Sequence, residues 1–129
     1  MQHYDQLLAY LMTKPEALQD YPFGPGVLVL KVQGKMFALL GVAGSPIEIN
    51  LKCEPQQALM LRDIFAAVRP GYHMNKTHWN TVTLDGSIPD GEVQRMIDHS
   101  YALVVKSLTK AKRKPLELLY DEAALYQGL

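Results

Sequence analysis

The sequence predicts an α+β fold, an antiparallel four-stranded sheet with helices packed on one face. Two observations support this fold class. Three apolar segments follow one another between residues 27 and 52 with only short turns between them, a pattern typical of an antiparallel meander. Segments with helical spacing of apolar residues come before and after this meander. With 129 residues, 48% of them hydrophobic, the chain can bury the core of one domain.

The first element is an amphipathic helix near the amino terminus. Its apolar residues recur at helical spacing, namely Tyr4, Leu7, Leu8 and Leu11. The helix should end near Lys14, because the residue before Pro15 is biased away from helical geometry. Residues 20–26 are rich in proline and glycine, and they predict an irregular connection to the sheet.

The meander is predicted to consist of strands at 27–32, 36–42 and 47–52. In the third strand, apolar residues alternate with polar ones: Ile47, Glu48, Ile49, Asn50, Leu51 and Lys52. This period of two is typical of a sheet with one face on the core and the other in water. We therefore expect one face of the sheet to be polar and accessible.

A helix over residues 56 to about 68, beginning after Pro55, is predicted to cover the meander. A fourth strand is predicted at residues 79–84, ended by the turn pair Asp85-Gly86. Because Trp79 is a large aromatic that can cap the core at the start of this strand, we expect its side chain to be largely buried.

The longest helix is predicted to begin near Ser87, which with Asp90 offers a start resembling a capping box. Its apolar residues keep helical register up to Leu108. On this helix His99 and Ser100 are adjacent and point in different directions, so they do not form a nucleophile and base pair. We interpret His99 as a satisfied surface histidine.

Pro115 is predicted to separate a last helix from the rest of the chain. We expect this helix to dock through Leu116, Leu119 and Tyr126, because a free helix of this length is marginal in water. The predicted organisation is therefore a domain at 1–114 followed by a C-terminal helical extension at 115–129.

Charge is balanced overall but unevenly distributed. The chain has 13 basic and 13 acidic residues, which argues against a bulk nucleic-acid binder with a strong positive field. Residues 52–114 nevertheless hold ten Lys or Arg against six Asp or Glu, ending in a basic run at 110–114. Residues 115–129 hold three acids and no base. Such a run is most often a normally solvated helix end.

The sequence also predicts a cytoplasmic location without membrane contact. Cys53 is the single cysteine, so no internal disulfide can form, which agrees with a reducing compartment. The amino terminus lacks a basic region followed by an apolar run. No stretch approaches the roughly 18 apolar residues that a membrane span requires.

Residues 69–89 read Arg-Pro-Gly-Tyr-His-Met-Asn-Lys-Thr-His-Trp-Asn-Thr-Val-Thr-Leu-Asp-Gly-Ser-Ile-Pro, and the pattern continues through Ile-Asp-His-Ser-Tyr at 97–101. This segment closely resembles the signature of the MmcQ/YjbR family. With Pro-Phe-Gly at 22–24 and the meander, the resemblance covers about residues 3–110. It implies an α+β fold similar to frataxin and a proposed DNA-binding role through a "double wing" of β hairpins. It implies no set of catalytic residues.

The resemblance makes DNA the first candidate partner. The hairpin turns at Gln33-Gly34 and Ala43-Gly44 would act as the wings. The candidate nucleic-acid-binding residues are the basic side chains near these hairpins and the signature: Lys31, Lys35, Lys52, Arg69 and Lys76. Zero net charge predicts that such binding is weak or local.

A polar cluster just before the fourth strand is the second candidate site. It consists of His73, Asn75, His78, Trp79 and Asn80. These residue types suit anion contact and stacking, but they also suit a loop whose side chains satisfy its own backbone. The histidines are five residues apart and Cys53 is distant, so no standard zinc spacing exists and no metal is predicted.

Two other function classes remain open. The leucine-bearing C-terminal segment suits a protein-interaction domain, and the polar cluster suits a small-ligand binder or a small enzyme. No phosphate loop, paired-cysteine motif or nucleophile elbow is present, so we predict neither an enzyme nor a cofactor. An iron-binding activity like that of frataxin would need clustered acids, whereas Asp5, Glu16 and Asp20 are few and scattered.

Overall fold

The structure, a computed structural model, describes residues 1–129 and contains five helices and six strands. The helices are α1 Tyr4–Leu11, α2 Pro55–Ile64, α3 Asp90–Ser107, α4 Lys110–Leu119 and α5 Glu122–Tyr126. The strands are β1 Leu18–Asp20, β2 Val27–Val32, β3 Lys35–Gly41, β4 Ile47–Lys52, β5 Val68–Pro70 and β6 Trp79–Leu84. No helix is both long and apolar enough to cross a membrane.

The strands form one antiparallel sheet in the order β1-β2-β3-β4-β6-β5. The α+β class is confirmed, but the expected four strands are wrong because the sheet has six. Both additional strands, β1 and β5, are edge strands of three residues. Segments this short show no readable alternation, and β5 ends in Pro70, which a sheet tolerates at an edge. The implied likeness to frataxin stays a prediction.

The two faces of the sheet have different environments. On one face the main hydrophobic core includes side chains from β2, β3, β4, β5 and β6, and all five helices pack against it. The opposite face carries a small apolar cluster of Val29, Leu39 and Trp79, and no helix covers it. The alternation of β4 therefore correctly predicted one accessible face.

Helix α3 is the central element of the core, since every residue from Met96 to Ala102 is buried. Three consecutive polar residues in this stretch each anchor a different part of the chain. Asp98 pairs with Lys14 at 2.5 Å and accepts a hydrogen bond from Tyr10 at 2.7 Å, which fixes α1 and the turn after it. Successive helical positions point about 100° apart, so neighbouring residues reach different elements.

Ser100 joins α3 to the sheet at a β-bulge. The register of β2 and β3 shifts after Leu30, which leaves Phe37 as the extra residue of β3. Phe37 and Lys52 would form the next rung after the pair Ala38 and Leu51. Instead, the Ser100 hydroxyl donates to the Phe37 carbonyl at 2.6 Å and accepts from the Lys52 amide at 2.9 Å. One side chain thus replaces a missing backbone hydrogen bond.

His99 anchors the carboxyl terminus and the start of α2. Its Nδ1 lies 2.8 Å from the Gly128 carbonyl, and its Nε2 accepts from the Glu54 amide at 3.1 Å. This pattern corresponds to the neutral tautomer with the proton on Nδ1. The interpretation of His99 as a surface histidine is wrong, because residues 127–129 and the loop before α2 cover it.

Two predicted helix boundaries differ from the structure. Helix α2 ends at Ile64 rather than near Val68, because Val68 enters the sheet as part of β5. Helix α3 begins at Asp90, and the Ser87 hydroxyl donates to the Asp85 carboxylate at 2.6 Å instead of capping the helix. At the first boundary pairing in the sheet overrides the preference of the segment, and at the second a local hydrogen bond to Asp85 replaces the cap.

The C-terminal segment forms two helices rather than one. Pro115 does not begin a helix, since it lies inside α4, which starts five residues earlier. The carbonyl that loses its partner there is that of Ala111, an exposed residue whose carbonyl can meet water. Leu116 is buried and Tyr126 half-buried as expected, but Leu119 is exposed and takes no part in docking. The domain boundary at 114 stays a prediction.

Replacing Ser100 with alanine should destabilise the fold by about 1–3 kcal/mol, because the Lys52 amide and the Phe37 carbonyl lose their shared partner. Urea denaturation measures the change in the free energy of unfolding. The matched control is Ser107→Ala on the same helix, where the residue is exposed and the effect should stay within about 0.5 kcal/mol. Equal effects of the two substitutions would contradict the bridging role.

Tyr10 should make stability fall at alkaline pH. Burial, and then the hydrogen bond to the Asp98 carboxylate, raises the pKa of Tyr10 well above its ordinary value of 10.0. Above about pH 10 the folded state therefore holds a proton that the unfolded state has lost, so stability decreases as the pH rises. The unfolding free energy of wild type should fall more steeply between about pH 9 and 11 than that of Tyr10→Phe. The exposed Tyr72→Phe control should follow wild type, and equal slopes for all three proteins would refute this linkage.

Candidate functional site

The loop that carries the polar cluster, residues 71–78, is stabilised largely by its own atoms. The Asn75 side chain accepts a hydrogen bond from the Thr77 amide at 2.9 Å, and the Asn75 carbonyl accepts from the Trp79 amide at 2.9 Å. Asn75 therefore has a structural role in shaping the turn. His73 and His78 are exposed on this loop.

The last two residues of the polar cluster lie on opposite faces of the sheet. Trp79 is only 9% exposed and packs with Val29 and Leu39 on the face without helices, so its predicted burial is confirmed. Asn80 is 2% exposed and lies on the helix-covered face beneath α2. Because adjacent strand residues alternate in direction, no small ligand can contact both side chains at once. The cluster is therefore not a single site.

Arg62 is a site residue that the sequence did not reveal. From α2 its Nε donates to the Asn80 Oδ1 at 2.7 Å, and its guanidinium also donates to the carbonyls of Lys76 and Trp79. It thereby fixes the orientation of the Asn80 amide and ties the loop to α2. No local pattern marks an arginine 18 residues away as the partner of Asn80, so only the tertiary structure reveals this pair.

The five candidate nucleic-acid-binding residues do not form one surface. Lys31, Lys52 and Arg69 share the face without helices by strand alternation, but Lys31 pairs with Asp20 at 2.8 Å and Arg69 pairs with Glu48. Two of these three charges are thus already compensated. Lys76 lies on the loop at 71–78, with its Nζ 4.9 Å from the centre of the Tyr72 ring. Lys35 points the other way, toward the end of α3.

A different group of basic residues comes together where the β2–β3 hairpin meets the junction of α3 and α4. The Lys35 Nζ donates to the Ser107 carbonyl at 3.1 Å, and the Lys112 Nζ donates to the Gln33 carbonyl at 3.4 Å. These two contacts place the hairpin turn beside the basic run at 110–114. We call the basic residues of the hairpin turn and this helix junction the basic patch, and they are Lys35, Lys106, Lys110, Lys112, Arg113 and Lys114.

Most charges of the basic patch are not neutralised. Only Arg113 has an acidic partner, Glu117 at 3.5 Å, and all five lysines are exposed. Lys106 lies with its Nζ 5.7 Å from the centre of the Tyr126 ring. The sequence showed the run at 110–114 and favoured a solvated helix end, whereas the structure adds Lys35 and Lys106 to it.

Comparisons with known proteins identify the family. A model of the YjbR family matches residues 12–103. The "Uncharacterized protein YjbR" of Escherichia coli K12 is 39% identical over 111 residues, which cover 86% of this chain and 94% of that protein. The chain belongs to the YjbR family. The "Uncharacterized protein YbdF" of Escherichia coli O157:H7 is 41% identical over 95 residues, covering 73% of this chain and 77% of that protein.

Solved structures share the fold of this chain. The crystal structure of Deinococcus radiodurans protein DR2400 has 38% sequence identity and a TM-score of 0.85, covering 90% of this chain and 88% of that one. A crystal structure from Pseudomonas syringae has 30% identity and a TM-score of 0.67, covering 78% of this chain and 97% of that one. The YjbR match ends at residue 103, so Lys35 is the one basic-patch residue within it.

Replacing Trp79 with alanine should destabilise this YjbR domain by about 3–5 kcal/mol, the usual range for a buried large aromatic. The lost contacts are those with Val29 and Leu39 on the face without helices. Thermal or urea unfolding measures the effect. Tyr72→Ala, at an exposed aromatic of the neighbouring loop, is the control and should change stability by no more than about 0.5 kcal/mol. An unchanged midpoint in Trp79→Ala would refute the structural role.

Proposed function

We propose that this YjbR protein binds the phosphate backbone of nucleic acids through the basic patch. The observation that carries the proposal is the pair of hydrogen bonds that join the β2–β3 hairpin to the α3–α4 junction, Lys35 to Ser107 and Lys112 to Gln33. They bring Lys35 next to the helix junction that carries five further basic residues, and of these six side chains only Arg113 has an acidic partner. Phosphate contacts are made by such exposed Lys and Arg side chains.

The geometry favours this surface over the two hairpins acting as a pair of wings. The β2–β3 turn is held against α3 and α4, so it supplies Lys35 to the patch instead of projecting freely. The β3–β4 connection at 42–46 is exposed but carries no basic residue. On the face without helices, Asp20 and Glu48 compensate Lys31 and Arg69. The basic patch therefore carries more basic side chains without an acidic partner than the face without helices.

Zero net charge limits the strength of this interaction. Contacts to the backbone alone carry no sequence information, so the binding is non-specific. We expect dissociation constants on the order of micromolar or weaker at moderate salt, which is the range of non-specific contacts. Affinity should fall linearly with salt on logarithmic axes, because each phosphate contact releases a counterion.

The triple substitution Lys110→Ala, Lys112→Ala and Lys114→Ala should weaken binding to duplex DNA. It should also flatten the dependence of log affinity on log salt by at most about three units. Fluorescence anisotropy with labelled duplex measures both quantities. The matched control removes the same formal charge elsewhere, through Lys31→Ala, Lys52→Ala and Lys76→Ala, and should leave the salt dependence close to wild type.

Two results of this titration would contradict the proposal. A larger loss in the control than in the patch variant would place binding on the hairpins and the face without helices. If wild type binds neither duplex nor single-stranded DNA at about 50 mM salt, nucleic-acid binding is refuted for this protein.

A protein interaction through the C-terminal segment is the second candidate function. Leu118 and Leu119 are both strongly exposed on α4, although leucines of an amphipathic helix normally face a core. Neighbouring exposed leucines are frequent in contact surfaces between proteins. This candidate takes first place if DNA binding fails the salt titration.

A further inference from the structure

A cleft of about 800 Å³ lies between α2, α3 and the carboxyl terminus, above the helix-covered face of β4 and β6. Its volume is in the range of pockets that bind small organic molecules. The lining is mainly apolar, and the side chains that form its floor and walls include Leu51, Leu61, Phe65, Val82 and Met96. It shares no residue with the basic patch.

Asn80 places an unused hydrogen-bond donor in the lining of this cleft. Its Oδ1 accepts from Arg62, so the amide can be oriented in one way only and its nitrogen is the free atom. That Nδ2 is buried and has no hydrogen-bond partner in the protein. Buried polar groups are almost always paired, so an orphaned donor in a cavity calls for an acceptor supplied from outside the chain.

The other buried polar groups of the cleft are already engaged or neutral. Both ring nitrogens of His99 are used, one with Gly128 and one with Glu54. Burial raises the pKa of the Cys53 thiol to about 11, so it is protonated and uncharged near neutral pH. A ligand that enters the cleft therefore meets one free donor and no buried charge.

Exposed apolar side chains and one ion pair lie at the entrance of the cleft. Met60 and Ile64 of α2 are exposed at its edge together with Leu129. Glu92 and Arg95 also line it and pair with each other at 3.4 Å. Exposed apolar side chains around a cavity favour an apolar ligand, and the compensated pair offers little attraction to a net charge.

The carboxyl-terminal residues Gly128 and Leu129 line one side of this cleft and pack closely against α3. Gly128 has a φ of +101°, and a Cβ built there would lie 2.8 Å from the backbone nitrogen of His99. Only glycine permits both this conformation and this approach to α3. The wall is therefore fixed to the helix, and the cleft is a formed site in the folded chain.

We propose that this cleft binds a neutral, largely apolar small molecule whose carbonyl oxygen accepts a hydrogen bond from the Asn80 amide nitrogen. The apolar body of the ligand packs between α2 and α3, and its carbonyl points toward β6. The size, the apolar lining and the single buried donor together define this ligand class. The site is independent of nucleic-acid binding, because the two surfaces have no residue in common.

Two probes of nearly equal size test the proposal, 2-acetylnaphthalene with a carbonyl and 2-ethylnaphthalene without one. Each is titrated into the full-length protein and followed by proton–nitrogen correlation spectra. We expect the ketone to shift the Asn80 side-chain amide signals and the backbone signals of Leu61 and Met96. We also expect it to bind about tenfold more tightly than the hydrocarbon, the factor for one hydrogen bond.

Asn80→Asp supplies the matched variant, because a carboxylate still accepts from Arg62 but offers no donor to the ligand. The variant should lose the tenfold preference for the ketone. Equal affinity of both probes for wild type, or shifts confined to residues outside the cleft, would overturn the proposal. If the variant does not fold, the comparison of the two probes on wild type still tests the proposal.

Discussion

The buried middle turn of α3 is the feature on which the rest of the fold depends. A helix that is covered on all sides needs each of its polar side chains to find a partner within the protein, since a buried polar group without one is costly. Asp98, His99 and Ser100 meet this requirement in three different directions. One turn of helix thereby holds α1, the sheet and the carboxyl terminus in place.

The same turn explains two local irregularities elsewhere in the chain. The bulge at Phe37 is possible because the Ser100 hydroxyl supplies the partners that the β3–β4 ladder lacks at that point. The glycine at 128 is required because the tail lies directly on the backbone of His99. The carboxyl-terminal residues held in this way form one wall of the cleft between α2 and α3. The proposed ligand site therefore depends on how α3 is buried.

The two proposed binding surfaces, the basic patch and the cleft, differ in charge and in burial. The basic patch exists only because a hairpin turn meets a helix junction more than 70 residues later in the chain. The cleft has a mainly apolar lining and depends on one buried amide. Attraction of phosphate needs accessible charge, whereas recognition of an apolar ligand needs a cavity that excludes water. The two proposed activities therefore require separate surfaces on this small domain.

The sequence by itself determined the α+β class, the central strands, the long helix, the accessible sheet face and the burial of Trp79. These features follow from periodicity and turn residues, which are local properties of the chain. The edge strands β1 and β5, the burial of His99 and the partnership of Arg62 with Asn80 were decided only by the tertiary structure. Three-residue strands carry no periodic signal, and the partner of a polar side chain depends on which distant residue the fold places beside it. For the same reason the sequence shows basic residues only as single charges and cannot group them on a surface, because a surface is made of residues that are neighbours in space and not along the chain.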